Sequence, residues 1–336
     1  MTVMKKMTRL TALILTAFLL FTALCGCAKQ REQKVIGTCG GYEVLYEELR
    51  YLTLLYKDML EDTYGEGIWD TPESAEKYRA ELEAAVWSNI RNNYAVLAAF
   101  EAYGGIPKED MKNKAIVNAV DEEIDEAIEA YGTKKDFKAA MKEMYLTENL
   151  LRFNLTVAQL ENELFYVLTQ DLNLIEDDAS AFMDWLEDGN CVYVQHIFIE
   201  NDPGEDKEAN RAIAEGVRQQ LLSGTDISEL VGTAVNEDLQ NVAPYYVVRD
   251  VYVQQKEDAA FALTEVGDVS EVVEAENGFI VMVRMQDDTA TLLSKIPSLL
   301  SSYQSARMEA IIEEHMDKLS VELNDYGKSI DLLEIK

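Results

Sequence analysis

The stretch Cys191-Val192-Tyr193-Val194-Gln195-His196-Ile197-Phe198-Ile199, together with the later Glu276-Asn277-Gly278-Phe279-Ile280-Val281-Met282-Val283, decides how the second half of this 336-residue chain folds. Val192 to Ile199 is rich in β-branched and aromatic residues and alternates enough to form a strand, with His196 in its middle. A histidine at such a place is commonly a hydrogen-bonded core residue, but it is also the side chain that titrates most easily near neutral pH. Between the two runs, Asn201 to Glu205 reads as a loop and Asp206 to Leu222 as a helix. Ser223-Gly224-Thr225-Asp226-Ile227 follows as a turn, then Leu230 to Asp238 as a further helix and its exit. Ala259-Ala260-Phe261 lies on another helix.

Upstream, the pattern is helical. Lys34 to Leu45 reads as a pair of short strands turning at Gly40-Gly41, and helical periodicity begins at once after it. Thr71-Pro72 is a helix start, with a hydroxyl N-cap and proline at the first helical position. Leu82, Val86, Ile90, Tyr94 and Leu97 then recur every three or four residues as one apolar stripe, which Gly104-Gly105 and Pro107 stop. Met111 to Tyr131 and Lys135 to Thr169 predict two more helices, the second apolar on more than one face and so expected to cross a core. Asp177-Asp178 starts a short helix through Phe182, Trp185 and Leu186; Gly189-Asn190 ends it and marks a domain boundary. Beyond Gln286, Leu292 to Leu319 carries helical spacing through Leu293, Ile296, Leu299, Leu300, Tyr303, Met308, Ile311 and Ile312, and Ser329 to Ile335 reads as a strand. A helix that follows an inserted unit is expected to pack back on the first domain and make it discontinuous.

The extreme N-terminus reads as an export signal. Lys5, Lys6 and Arg9 precede an apolar run, Leu10 to Leu24, that is too short to span a bilayer comfortably. Leu24-Cys25-Gly26-Cys27 resembles a bacterial lipobox, which implies cleavage after Gly26, lipidation of Cys27 and a place outside the cytoplasmic membrane. More than one acyl chain would give anchoring that a single chain cannot. The formal charge is −32, and the signal contains only basic charges, so its removal makes the chain more acidic. Such a surface excludes nucleic acid as an expected partner and favours basic clients and divalent cations, unless it is simply a solvated acidic surface. Cys39 and Cys191 are the two remaining cysteines. One bridge between them is open in an oxidising compartment, but two buried or free thiols are expected, and no Cys/His cluster suggests a metal. No cofactor is implied.

The layout from Cys191 to Asp288 resembles a parvulin-type peptidyl-prolyl isomerase domain. His196-Ile197-Phe198 is similar to the family's His-Ile-Leu strand, Gly224-Thr225-Asp226-Ile227 to its Gly-x-Asp-Phe turn, Asn236-Glu237-Asp238 to its Ser-x-Asp, and Ala259-Ala260-Phe261 to its Ala-x-Phe helix. Val35 to Val44 is similar to the opening of PrsA- and SurA-type foldases, with Gly40 where Asn is usual. Lipobox, strand pair, helices, parvulin unit and long terminal helix also stand in that family's order. The resemblance implies an α+β fold: a mainly helical, discontinuous chaperone domain with an inserted parvulin-like domain built on a four-stranded antiparallel sheet. The expected division is a signal peptide at 1–26, a lipid-anchored linker at 27–33, the helical domain at 34–189, the parvulin-like domain at 190–288, and a C-terminal helix and tail at 289–336. It also implies His196 and Asp238 as catalytic positions, with Tyr245, Tyr252, Phe261 and Phe279 as apolar substrate-binding surface.

Several positions depart from the pattern. The family's Gly-Gly-Asp-Leu-Gly turn is replaced by Val242-Ala243-Pro244-Tyr245-Tyr246-Val247; Tyr252 stands at the usual Met or Leu; Lys256 stands at the usual Phe of the proline pocket; and Ile280 replaces the second histidine. Prolyl isomerisation crosses a barrier of about 18–20 kcal/mol without covalent chemistry, so a site needs only to hold the twisted amide better than the planar ones. Without the second histidine and the aromatic wall, weak or absent turnover is expected. The function implied is a membrane-anchored extracytoplasmic foldase acting on unfolded or newly secreted polypeptides. The alternatives are a non-catalytic holdase with a degenerate parvulin unit and a solute-binding lipoprotein, which would need two lobes rich in parallel strands.

Overall fold

Gly40 and Gly41 both sit at positive φ, 58° and 81°, the conformation that a tight two-residue hairpin turn demands and that glycine takes without strain. They join β1 (Val35–Cys39) to β2 (Tyr42–Leu45) as expected. The computed structural model describes residues 33–201, 207–230 and 243–336. The described residues divide into two compact units: 33–172 with 310–336, and those between 173 and 309.

In the first unit, α1 (Tyr46–Tyr64) follows the hairpin directly, and α2 (Pro72–Ala102) starts where Thr71 accepts a hydrogen bond from the Ser74 amide at 3.2 Å. The stripe of α2 is fully buried at Leu82, Val86, Ile90, Tyr94 and Leu97. After the short α3 (Pro107–Asp110) come α4 (Lys114–Tyr131), α5 (Lys134–Glu143) and α6 (Glu148–Tyr166), the last ending in a π-type turn at Val167–Asp171. The single helix expected over 135–169 is thus two. Thr147 accepts from the Leu150 amide and caps α6, while Tyr145 turns to φ 60°, so local capping outcompetes helical continuity.

The second unit opens with α7 (Ala179–Trp185), whose first amides, Ser180 and Ala181, donate to Asp178 Oδ1. A π-type turn through Gly189 at φ 92° then leads into β3 (Cys191–Glu200). It continues with α8 (Lys207–Leu222), α9 (Ile227–Leu230), β4 (Tyr245–Val248), α10 (Gln254–Phe261), β5 (Val273–Ala275) and β6 (Gly278–Arg284). The strands form one antiparallel sheet in the order β4-β3-β6-β5. The fold class is therefore α+β.

Both faces of this sheet are covered. Ile197, Ile199, Phe279 and Val281 pack beneath Ala214, Val217 and Leu221 of α8, whereas Val192, Val194, Val247, Ile280 and Met282 pack against Ala260 and Leu263 at the end of α10. α11 (Thr289–Met316) leaves β6 through Asp288, whose carboxylate accepts from the Ala290 and Thr291 amides. Leu292, Ile296 and Leu300 of α11 join Phe182, Leu186, Tyr193 and Tyr246 in a third cluster. The compact unit accordingly starts before the expected boundary at 190 and runs past 288, because α7 and the first half of α11 bury their apolar sides on its own sheet.

The chain then returns to the first unit. β7 (Val321–Leu323) pairs with β1 to complete a three-stranded sheet, followed by α12 (Asp325–Lys328) and a single 3-10 turn at Leu332–Glu334. The strand expected at 329–335 is not there. Asn324 and Asp331 accept from the Gly327 and Leu333 amides, so short polar side chains bend that segment into turns. Lys57, buried in α1, holds the tail by donating to the Leu333 and Ile335 carbonyls, both at 2.9 Å. Arg79 adds a two-pronged pair with Asp331 at 2.8 and 3.2 Å. Cys39 and Cys191 are free thiols, pushed up by burial to about 12 and about 11.

Candidate functional site

Strand parity places His196. In β3 the even-numbered residues Val192, Val194, His196 and Phe198 share the sheet face that packs on α10, opposite Ile197 and Ile199. His196 pairs across to Met282, and Val194 to Tyr245 on the edge strand β4. That register brings the Tyr245 ring to 5.3 Å from the His196 ring, centroid to centroid, at an interplanar angle of 88°. The Tyr245 hydroxyl is buried without a hydrogen-bond partner, and burial, followed by the neighbouring Tyr252, pushes its phenol well above the ordinary tyrosine range.

The loop between β4 and α10 carries the next side chains. Glu257, buried on α10, accepts from the Val251 and Tyr252 amides at 2.9 and 2.8 Å through one oxygen and from the Asp250 amide at 3.1 Å through the other. This clamp fixes Asp250 at φ 61° and sets Tyr252 against the sheet. Lys256 sits one residue before it, with Nζ 3.8 Å from the Tyr252 ring centre and 5.1 Å from that of Tyr245. Desolvation lowers its ammonium to about 8. Farther along, the Arg249 guanidinium lies 3.5 Å over the Phe261 ring.

His196, Tyr245, Tyr252 and Phe261 therefore gather on one face. Phe279 does not join them. It pairs with Ile199 and is wholly buried beneath α8 on the opposite face, so it supports the sheet and offers no surface to a peptide. Ile280, opposite Phe198, supplies an apolar floor where the parvulin pattern has an imidazole. Asp238 and Cys27 lie outside the described residues. Among the described residues no group of three or more His, Cys, Asp or Glu side chains could hold a metal ion.

Residues 196–286 match the protein family described as "Rotamase: PPIC-type PPIASE domain", and the match begins at His196 itself. This segment is a PPIC-type PPIase domain. No curated protein sequence matches the chain significantly. Among solved structures, the peptidylprolyl isomerase PrsA of Bacillus anthracis is 16% identical, covering 67% of this chain and 94% of its own, at a TM-score of 0.39. The foldase protein PrsA of Streptococcus pneumoniae is 14% identical over 84% of this chain and 92% of its own, at 0.33. SurA-like chaperones of Campylobacter jejuni give 13% identity over 87% of this chain and 100% of that one, at 0.21. TM-scores below 0.5 are too low to establish a shared overall architecture.

Within the PPIC-type domain, Glu257 and Arg249 are the residues that sequence reasoning missed. Glu257 looks like one more acid in an acidic chain, and only its three backbone partners give it a role. What the face offers chemically is a set of aromatic rings for an apolar ligand, an imidazole beside them, and hydrogen-bond donors that a polarised amide carbonyl could use.

Proposed function

We propose that the chain is a lipid-anchored extracytoplasmic foldase that binds unfolded or newly secreted polypeptides and holds their prolyl segments on the His196–Tyr245–Tyr252–Phe261 face, with weak isomerase turnover. The observation that carries this reading is the gathering of these four side chains on one face of the sheet inside the segment that matches the PPIC-type family. In this reading Tyr252 and Phe261 give apolar surface for a pyrrolidine ring, Tyr245 packs beside His196, and the His196 imidazole hydrogen-bonds the twisted amide. Differential binding of that twisted amide is the whole of the catalysis required. Asp238 is assigned the role of tuning His196 through a carboxylate–imidazole interaction. The lipobox motif at Cys27 supports the anchor, and among the described residues no helix is long and apolar enough to cross a membrane.

Cis/trans exchange of a proline peptide, followed on the full chain and on His196→Ala and Asp238→Ala, tests the catalytic part; equal rates in all three refute it. The second reading, a non-catalytic holdase, is favoured by Lys256 and Ile280 standing where the family pattern has Phe and His. Undiminished protection of a proline-free client from aggregation supports it. A solute-binding lipoprotein is disfavoured by the two antiparallel sheets, since such proteins use parallel lobes around a cleft.

A further inference from the structure

Among the described residues, the charges that stack on the rings of the candidate face are opposite in sign to that of the chain. Against a formal −32, the ionised groups stacked on its rings are Lys256 over Tyr252 and Tyr245 and Arg249 over Phe261. Among the described residues no carboxylate pairs with Lys256. The acids near it in sequence are engaged elsewhere: Glu257 with three backbone amides, Asp258 with the Gln254 side-chain amide, and Asp250 with Arg307 at 3.7 Å. The ammonium lies 5.1 Å from the centre of the Tyr245 ring, whose buried hydroxyl also lacks a hydrogen-bond partner among the described residues. Among the described residues, a desolvated cation without a counter-ion and the unbonded phenol of a ring that it stacks on are two donors without an acceptor. Each costs free energy that a bound acceptor would return.

We infer that Lys256 and Tyr245 form a subsite for a carboxylate side chain, so that this face selects client segments in which Asp or Glu adjoins the prolyl residue. The inference rests on the prolyl-binding reading above and gives it a substrate class. It also reverses the expectation from net charge, because the long-range field attracts basic segments while the site itself rejects them. The carboxylate binds the ammonium form, so the preference is greatest well below pH 8 and fades as pH rises through about 8, where Lys256 loses its proton. Among the described residues, the groups facing Lys256 from other elements are Tyr245 from β4 and Tyr252 from the preceding loop, both with phenols raised by burial, and so neutral across that range.

The test measures binding of the full chain to blocked peptides Ala-Xaa-Pro-Xaa-Ala in which both Xaa are Glu, Gln or Lys, at pH 7 and pH 9.5. The expected result at pH 7 is Glu tighter than Gln by about 10-fold, as for a charge-assisted pair, and Lys weakest. The preference should shrink at pH 9.5, vanish in Lys256→Met, and weaken in Tyr245→Phe, which keeps the shape of the face. Equal binding of Glu and Gln peptides at pH 7 overturns the subsite and leaves prolyl binding standing. A Glu preference that survives in folded Lys256→Met overturns the assignment to Lys256. Binding of none of the peptides overturns the prolyl reading and the subsite with it.

Discussion

Lys256→Met should stabilise the second unit at neutral pH, and the gain should shrink as pH rises. In the folded protein burial lowers the Lys256 ammonium to about 8, whereas an unfolded lysine stays near 10.4. The unfolded chain therefore binds more protons between these values, so the stability contributed at this position rises with pH across that window and is lowest below pH 8. The shift corresponds to an upper bound of about 3 kcal/mol held against folding at pH 7, of which about 2 kcal/mol is recovered by pH 9.5. The cation–π contacts with Tyr252 and Tyr245 offset part of it, about 1–2 kcal/mol for a largely desolvated ammonium. Methionine keeps the unbranched stem and removes the charge. The expected net gain is about 1–2 kcal/mol at pH 7 and near zero at pH 9.5. Trp185 packs on Phe182 and Tyr303 in the second unit, so urea unfolding followed by its fluorescence in a Trp69→Phe/Trp87→Phe background reports that unit. A difference between Lys256→Met and the parent that does not change with pH refutes the reasoning, as does a loss of stability at pH 7.

Glu257→Gln keeps the length of the side chain but halves its acceptor capacity and removes its charge. It should cost about 1–3 kcal/mol and raise hydrogen exchange at the Asp250, Val251 and Tyr252 amides while leaving β6 protected. Gly278→Ala drives a methyl into the Ile199 carbonyl oxygen, so β6 must shift; a loss above about 2 kcal/mol is expected, read as a lowered midpoint of the same Trp185 transition. Lys57→Met leaves the Leu333 and Ile335 carbonyls without their donor and should free the C-terminal tail, seen as faster carboxypeptidase trimming with the Trp185 transition unchanged.

Much of the fold was legible because local chemistry and tertiary packing agree. Gly40-Gly41 could serve only as a tight turn, and the stripe from Leu82 to Leu97 had one apolar side to bury. The break at Tyr145 was hidden because a non-glycine residue takes positive φ there, with no Gly or Pro to announce it. The tail strand was misplaced because Ser329 to Ile335 is apolar enough for a strand, while Asn324 and Asp331 decide for turns through their own backbone bonds. At the site, pattern and resemblance named His196 and Tyr245, which the structure brings together, and offered Phe279 as substrate-binding surface, although it is wholly buried on the other face. Phe279-Ile280-Val281-Met282-Val283 is apolar throughout, since both faces of β6 are covered, and without alternation only the register with β3 says which side each residue takes. The isolated charge of Lys256 was likewise visible only as a departure from a family position. Its two ring contacts give that departure a chemical meaning.

The most direct measurement is exchange spectroscopy on a peptide with one proline and acidic neighbours, in the presence of the full chain. Cis/trans exchange faster than the uncatalysed process, which takes tens to hundreds of seconds, and slowed by His196→Ala, is the predicted result. Exchange at the uncatalysed rate, with no perturbation of the resonances of Tyr245, Tyr252 or Phe261, would contradict a prolyl-binding face on this sheet.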